Sequence, residues 1–186
     1  FDNTAPEASV VIAGGRVFTR SRTVRLAMIA RDVVPPGASV ASGLAGVIVV
    51  GDIPASLTGV RTSVRLTGSD GIKTVGVAVV DNVGLGAQAN DTIIFDSHGP
   101  VIRLQRASKR VPVGGIASFD ASTSFDRTAG IRAGSFSWRF GDRLPGAVGA
   151  SAQHIYRRPG LYRGSVRVLD RAGNISIRRF SVRVTR

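Results

Sequence analysis

Apolar and polar residues alternate with a period of two through most of the chain. Val24, Leu26, Met28 and Ala30 share one side of their stretch, and Val75, Val77 and Val79 do the same within Lys73 to Val80. Further along, Phe136, Trp138 and Phe140 alternate with Ser135, Ser137 and Arg139, while Phe180, Val182 and Val184 alternate with Arg179, Ser181 and Arg183. Successive side chains of a strand point to opposite faces, so this pattern predicts half-buried β-strands. No window carries a helical stripe. Turn signals at Gly14-Gly15, Pro35-Pro36-Gly37, Ser69-Asp70-Gly71, Gly114-Gly115 and Pro159-Gly160 recur at intervals that suit antiparallel sandwiches.

The strands fall into two sets because the punctuation repeats. Phe1-Asp2-Asn3-Thr4-Ala5-Pro6 returns as Phe95-Asp96-Ser97-His98-Gly99-Pro100, and the strand end Val80-Asp81-Asn82-Val83-Gly84 returns as Leu169-Asp170-Arg171-Ala172-Gly173-Asn174. Two matches in the same order at nearly the same spacing predict tandem modules, 1–97 and 98–186. Composition fits this reading. Hydrophobic residues make up 43% and charged residues 20% of the 186, ordinary values for a chain that packs a core. The longest apolar run, Leu44 to Gly51, is far short of a membrane span. With no cysteine, disulfide scaffolds, thiolate zinc sites and cysteine nucleophiles are excluded together. The chain starts at Phe1 without an initiator Met or a signal-peptide pattern, so it reads as a mature product or an excised fragment.

The second module resembles the PKD domain, whose pattern runs roughly W-D-F-G-D-G, H-x-Y, G-x-Y and D-x-x-G-N. Here these stand as Trp138 to Arg143, His154-Ile155-Tyr156, Gly160-Leu161-Tyr162 and Asp170 to Asn174, with Phe119-Asp120-Ala121-Ser122 upstream. Arg139 and Arg143 replace the usual Asp and Gly. The first module resembles bacterial Ig-like repeats that open D-x-T-x-P and close D-G-x-K-T-V then D-x-x-G, carried by Asp2 to Pro6, Asp70 to Val75 and Asp81 to Gly84. Together the resemblances imply an all-β fold of two tandem immunoglobulin-like antiparallel β-sandwiches. They also imply an extracellular or cell-surface setting, where such modules space domains or bind polymers and other proteins.

Few residues invite chemistry. Trp138, the only Trp, sits between Phe136 and Phe140 on one face and is expected to plug the core. Asp142 and Asp170 precede or follow glycines in a way that suits carboxylates capping turns, and Tyr156 and Tyr162 flank Pro159-Gly160, where their hydroxyls can tie down a corner beside His154. Asp2, Asp81 and Asp96 lie near module ends and read as turn caps, with interdomain calcium as the other option. No metal, cofactor or catalytic residue is assigned. Gly84 to Ala89 spells G-x-G-x-x-A, but a dinucleotide site needs a following helix, and Asn90 to Phe95 follows instead. No G-x-S-x-G elbow or histidine context marks a hydrolytic triad.

Charge separates the modules. The net +13 falls entirely on the second, with seventeen basic residues against four acids, whereas the first balances eight against eight. If the strands around Trp138, Val166 and Val182 lie side by side, period two puts Arg139, Arg163, Arg167, Arg179 and Arg183 on one outer face. Like charges opposed across strands cost up to about 1 kcal/mol per pair, which invites an anionic counterpart. The competing account is a soluble surface on which Arg replaces Lys and guards sheet edges. Without interleaved exposed aromatics or a reading helix, nucleic acid is the disfavoured anion. The expected function is a non-catalytic structural and interaction module whose partners are other domains or subunits of a surface assembly, or an acidic polysaccharide or wall polymer. The alternative is an accessory polymer- or carbohydrate-binding region of a secreted hydrolase.

Overall fold

The computed structural model describes residues 2–34, 37 and 40–186, so Phe1 of the repeated motif and Pro35-Pro36 of one turn signal lie outside the described residues. The chain divides into two compact units, Phe1–Asp96 and Ser97–Arg186. Among the described residues there is no helix. None is therefore long and apolar enough to cross a membrane.

The first unit contains β1 (Glu7–Ile12), β2 (Phe18–Thr19), β3 (Thr23–Arg31), β4 (Leu44–Gly51), β5 (Leu57–Thr58), β6 (Ser63–Arg65), β7 (Gly71–Asp81) and β8 (Gly86–Phe95). They form a three-stranded sheet β1-β3-β6 and a five-stranded sheet β2-β8-β7-β4-β5. The second unit contains β9 (Arg106–Ala107), β10 (Arg110–Pro112), β11 (Ile116–Asp120), β12 (Ser137–Arg139), β13 (Ala147–Val148), β14 (Ser151–Ile155), β15 (Gly160–Leu169) and β16 (Ile175–Thr185). Its sheets run β9-β11-β14 and β10-β16-β15-β12-β13.

Adding eight to each strand number of the first unit reproduces the second. The sequence repeat is thus a repeat of topology, and both units are immunoglobulin-like sandwiches in which the third strand sits in one sheet and the fourth, seventh and eighth in the other. Pairing is antiparallel except for β2 with β8 and β10 with β16, the two short parallel ladders.

Each core follows from the alternation. On β7, Val75, Val77 and Val79 are buried, and across the sandwich they share a cluster with Ile12, Val24, Leu26 and Val64. In the second unit Trp138 on β12 is the largest buried side chain. Its ring centroid lies 5.7 Å from that of Phe119 on β11 and 6.0 Å from that of Phe180 on β16. Immunoglobulin sandwiches commonly set a Trp at this strand position against an inter-sheet disulfide. Here an aromatic side chain, Phe119, occupies the opposing sheet instead. The indole Nε1–H donates to the Gly149 carbonyl at 2.8 Å, so burial leaves no polar group unmet.

The tyrosines fix the β14–β15 corner. Tyr162 stands near the start of β15 and its hydroxyl donates to the Arg158 carbonyl four residues upstream at 2.9 Å, a tyrosine corner by geometry. Tyr156, fully buried, donates to the Phe140 carbonyl at 3.1 Å and stacks on Tyr162 with centroids 4.4 Å apart. Burial, then the nearby Asp142 and Tyr162, pushes the Tyr156 phenol well above its usual range, so it remains a hydrogen-bond donor.

Candidate functional site

The outer face of the β12-β15-β16 sheet carries the arginines. Because Val166, Val168, Val182 and Val184 turn inward and are buried, the residues between them must face out. Arg139, Arg163, Arg167, Arg179 and Arg183 are all exposed there. Strand register then sets their mutual positions. Arg139 pairs with Ser165, which pairs in turn with Arg179; Arg167 lies between Ser137 and Ile177; Arg163 pairs with Ser181; and Arg183 pairs with Leu161.

Direct opposition of like charges, expected from sequence, therefore does not occur among these five. The register offsets the Arg positions of neighbouring strands by two residues, so small serines and apolar side chains stand opposite each guanidinium. Like charges do meet at Arg183 and Arg110, across the parallel β10–β16 ladder. The three-residue strand β10 carries too short an alternation for sequence parity to place Arg110 on this face.

Among the described residues, no carboxylate forms an ion pair with any of the five arginines. Between them lies a shallow depression of about 310 Å³, lined by Ser137, Arg139, Ser165, Arg167 and Ile177. Two guanidiniums with two hydroxyls beneath them offer charge and hydrogen-bond donors to a carboxylate, sulfate or phosphate.

Backbone packing holds the face in place. Gly164 is buried in β15 where a Cβ would collide with the Phe180 ring and the Arg139 carbonyl. Gly141, at φ +86°, brings its backbone against the Arg163 carbonyl in the same way. Both glycines permit close approach of the chain beneath Arg139 and Arg163.

The acidic residues of this unit serve turns. Asp170, buried, accepts from the amides of Gly173 at 2.6 Å and Asn174 at 2.8 Å, and its second oxygen accepts from the Asn174 side chain at 2.8 Å. Asp126 takes the amides of Thr128, Ala129 and Gly130 on one oxygen. Asp142 takes the Leu144 amide, and its other oxygen lies 2.5 Å from His154 Nε2. His154 also stacks on Phe140, 4.1 Å between centroids, and meets Tyr156 edge-on. Among the described residues, no serine or threonine hydroxyl is hydrogen-bonded to His154. The pair therefore clamps the β12–β13 loop to β14.

The opposite sheet, β9-β11-β14, carries an open groove of about 710 Å³ that includes Gln105, Arg106, Asp120, Ser151 and Gln153. Asp120 accepts from the Ser122 amide at 2.9 Å and the Ser151 hydroxyl at 3.1 Å. These hydrogen bonds, with Ser122 the larger cause and Arg106 nearby, hold its carboxyl below the ordinary value of 3.8.

Residues 97–184 match the family model described as the PKD domain. The second unit is PKD-like, and the first repeats its immunoglobulin-like topology. Among curated proteins none matches it in sequence. Solved structures similar to it include the fibronectin(III)-like modules of Clostridium thermocellum CbhA, 14% identical, with a TM-score of 0.48 and 94% of this chain and 92% of that chain covered. Three N-terminal domains of the highly immunogenic outer capsid protein of bacteriophage RB49 are 11% identical, with a TM-score of 0.44 and coverages of 97% and 59%. The Bacteroides ovatus mixed-linkage glucan protein SGBP-B, solved with a mixed-linkage heptasaccharide, is 14% identical, with a TM-score of 0.29 and coverages of 98% and 48%. PKD-like domains are typically non-catalytic interaction modules of extracellular proteins. In the PKD-like domain here, Trp138, Tyr156 and Tyr162 of the family pattern all serve the core and its corner.

Proposed function

We propose that the chain is a non-catalytic spacing and docking module of an exported bacterial protein, and that Arg139, Arg163, Arg167, Arg179 and Arg183 form its contact face for an acidic partner. Other domains or subunits of a surface assembly, or an acidic polysaccharide or wall polymer, present the required anions. The observation that carries this reading is that five exposed guanidiniums on one sheet have no carboxylate paired with them among the described residues. Serines opposite Arg139, Arg163, Arg167 and Arg179 leave these forks open to bidentate contact, and the positive field of the face speeds encounter with a polyanion.

The test is retention on an anionic polysaccharide column as a function of salt. Charge reversal at Arg163, Arg167, Arg179 and Arg183 should abolish salt-sensitive retention, while Trp138 fluorescence shows that the fold persists. Unchanged retention of a folded variant overturns the assignment of the face. A titration against unstructured single-stranded DNA at matched charge separates partner classes: binding there as tight as to the polysaccharide removes the preference for a glycan or wall polymer.

A further inference from the structure

The first unit contains a group of carboxylates that its turns do not fully use. Asp2 precedes β1, Asp32 follows β3, and Asp81 ends β7. One oxygen from each lies within 4.8 Å of the others. Most of their hydrogen-bonding capacity is taken by backbone. Asp2 accepts the amides of Thr4 at 3.1 Å and Ser42 at 2.9 Å, and Asp32 accepts the amides of Val33 at 2.9 Å and Gly43 at 2.6 Å with the Ser42 hydroxyl at 3.1 Å. Asp81 Oδ1 accepts the amides of Val83 at 2.9 Å and Leu85 at 2.8 Å.

Asp81 Oδ2 is the exception. The residue is 1% exposed, and this oxygen is fully buried with no hydrogen-bond partner among the described residues. Among the described residues, no basic side chain forms an ion pair with Asp2, Asp32 or Asp81. The repeat supplies an internal comparison. Asp81 and Asp170 occupy matching turns, each donating its own amide to the carbonyl four residues on. In the second unit that fourth residue is Asn174, whose side-chain amide satisfies Asp170 Oδ2. In the first unit it is Leu85, whose side chain has no donor to offer. The same turn thus carries a carboxylate in both units but has a protein partner for its second oxygen, among the described residues, in only one.

We infer that Asp2, Asp32 and Asp81 form a calcium site where the segment before β1, the segment after β3 and the end of β7 converge. Calcium accepts six to eight oxygens at about 2.3–2.6 Å, so two oxygens sharing one ion lie up to about 5.2 Å apart; magnesium, at about 2.0–2.1 Å, requires about 4.2 Å or less. A donor set of three carboxylates spread over as much as 4.8 Å suits the larger ion. All-oxygen ligation also disfavours zinc and copper, which take nitrogen or sulfur. Asp81 supplies a buried anionic oxygen, Asp2 and Asp32 supply the balancing ligands on flanking segments, and water completes the shell.

The experiment is a calcium titration of the full chain after chelator treatment, followed by amide resonances in two-dimensional NMR. Thr4, Ser42, Gly43, Val83 and Leu85 should shift together and saturate, and the melting temperature of the first unit should rise. Asp32→Asn and Asp81→Asn should each weaken the apparent affinity tenfold or more, and magnesium should produce smaller shifts at equal concentration. Resonances that stay fixed up to about 10 mM calcium, above the range of extracellular modules, overturn the site. So does an Asp32→Asn protein that binds with unchanged affinity. If Asp81→Asn does not fold, the wild-type resonances and the part-exposed Asp32→Asn variant decide the matter.

Discussion

His154 Nε2 lies 2.5 Å from Asp142 Oδ2, joining β14 to the loop that leaves β12. Both side chains are nearly buried, at 11% and 9% exposure, so the contact is shielded from the solvent that weakens surface pairs. Truncating either partner strands the other. Asp142→Ala and His154→Ala should each destabilise the second unit by about 1–3 kcal/mol, and the double variant should cost less than the sum, with a coupling of about 0.5–3 kcal/mol. Urea unfolding followed by Trp138 fluorescence reads all three, since the only Trp lies in this unit. Strict additivity would contradict the clamp.

Removal of the indole should be the most damaging single change in this unit. Trp138→Ala deletes a side chain that contacts Phe119 and Phe180 and leaves the Gly149 carbonyl without its donor. A loss of about 3–5 kcal/mol is expected. Since the variant carries no Trp, circular dichroism during urea unfolding provides the measurement.

The two tyrosines should separate by depth. Tyr156→Phe leaves the Phe140 carbonyl unmet in a fully buried setting and should cost about 1–3 kcal/mol. Tyr162→Phe removes a bond at an exposed corner, where water can replace the hydroxyl, and should cost about 0.5–1.5 kcal/mol. Denaturant midpoints compared under one condition test the order, and equal losses would refute it.

Asp120 sets one part of the acid response. Its folded-state pKa lies below the ordinary 3.8 because the Ser122 amide and Ser151 hydroxyl favour the ionised form. Its stabilisation is therefore complete above the unfolded value and disappears as pH falls through the lower folded value. A carbon-detected NMR titration should place the Asp120 midpoint below 3.8. Asp120→Asn should lose less stability than wild type as pH drops below about 4, and a midpoint at or above 3.8 would contradict the hydrogen-bond assignment.

Residues that obey a period of two are legible in the sequence alone. Trp138, Val75 and Val182 are buried where alternation put them, because a sheet face converts sequence parity directly into burial. The strand repeat was readable for a similar reason: Asp81 and Asp170 cap equivalent turns. Pairings set by register were not. Nothing local in the sequence says that Arg139 faces Ser165 or that Arg110 joins Arg183, since register depends on the whole sandwich. Asp32 escaped for another reason. It lies thirty residues from Asp2 and forty-nine from Asp81, outside any turn motif, and only closure of the sheet brings the three together.

The short parallel ladders bear on what each unit does under load. In the second unit, β10 lies near the start and β16 at the end, and their alignment is fixed by bonds such as Arg183 N–H to the Lys109 carbonyl at 2.9 Å and Val113 N–H to the Thr185 carbonyl at 2.8 Å. In the first, Ile94 and Asp96 donate to Val17 and Thr19 in the same sense. Tension drawing the two ends of a unit apart pulls these parallel neighbours past each other along their length. All rungs of a ladder must then yield together, whereas an antiparallel hairpin pulled at its open end would unzip one rung at a time. Each sandwich is consequently fastened against stretching where its second strand meets its last.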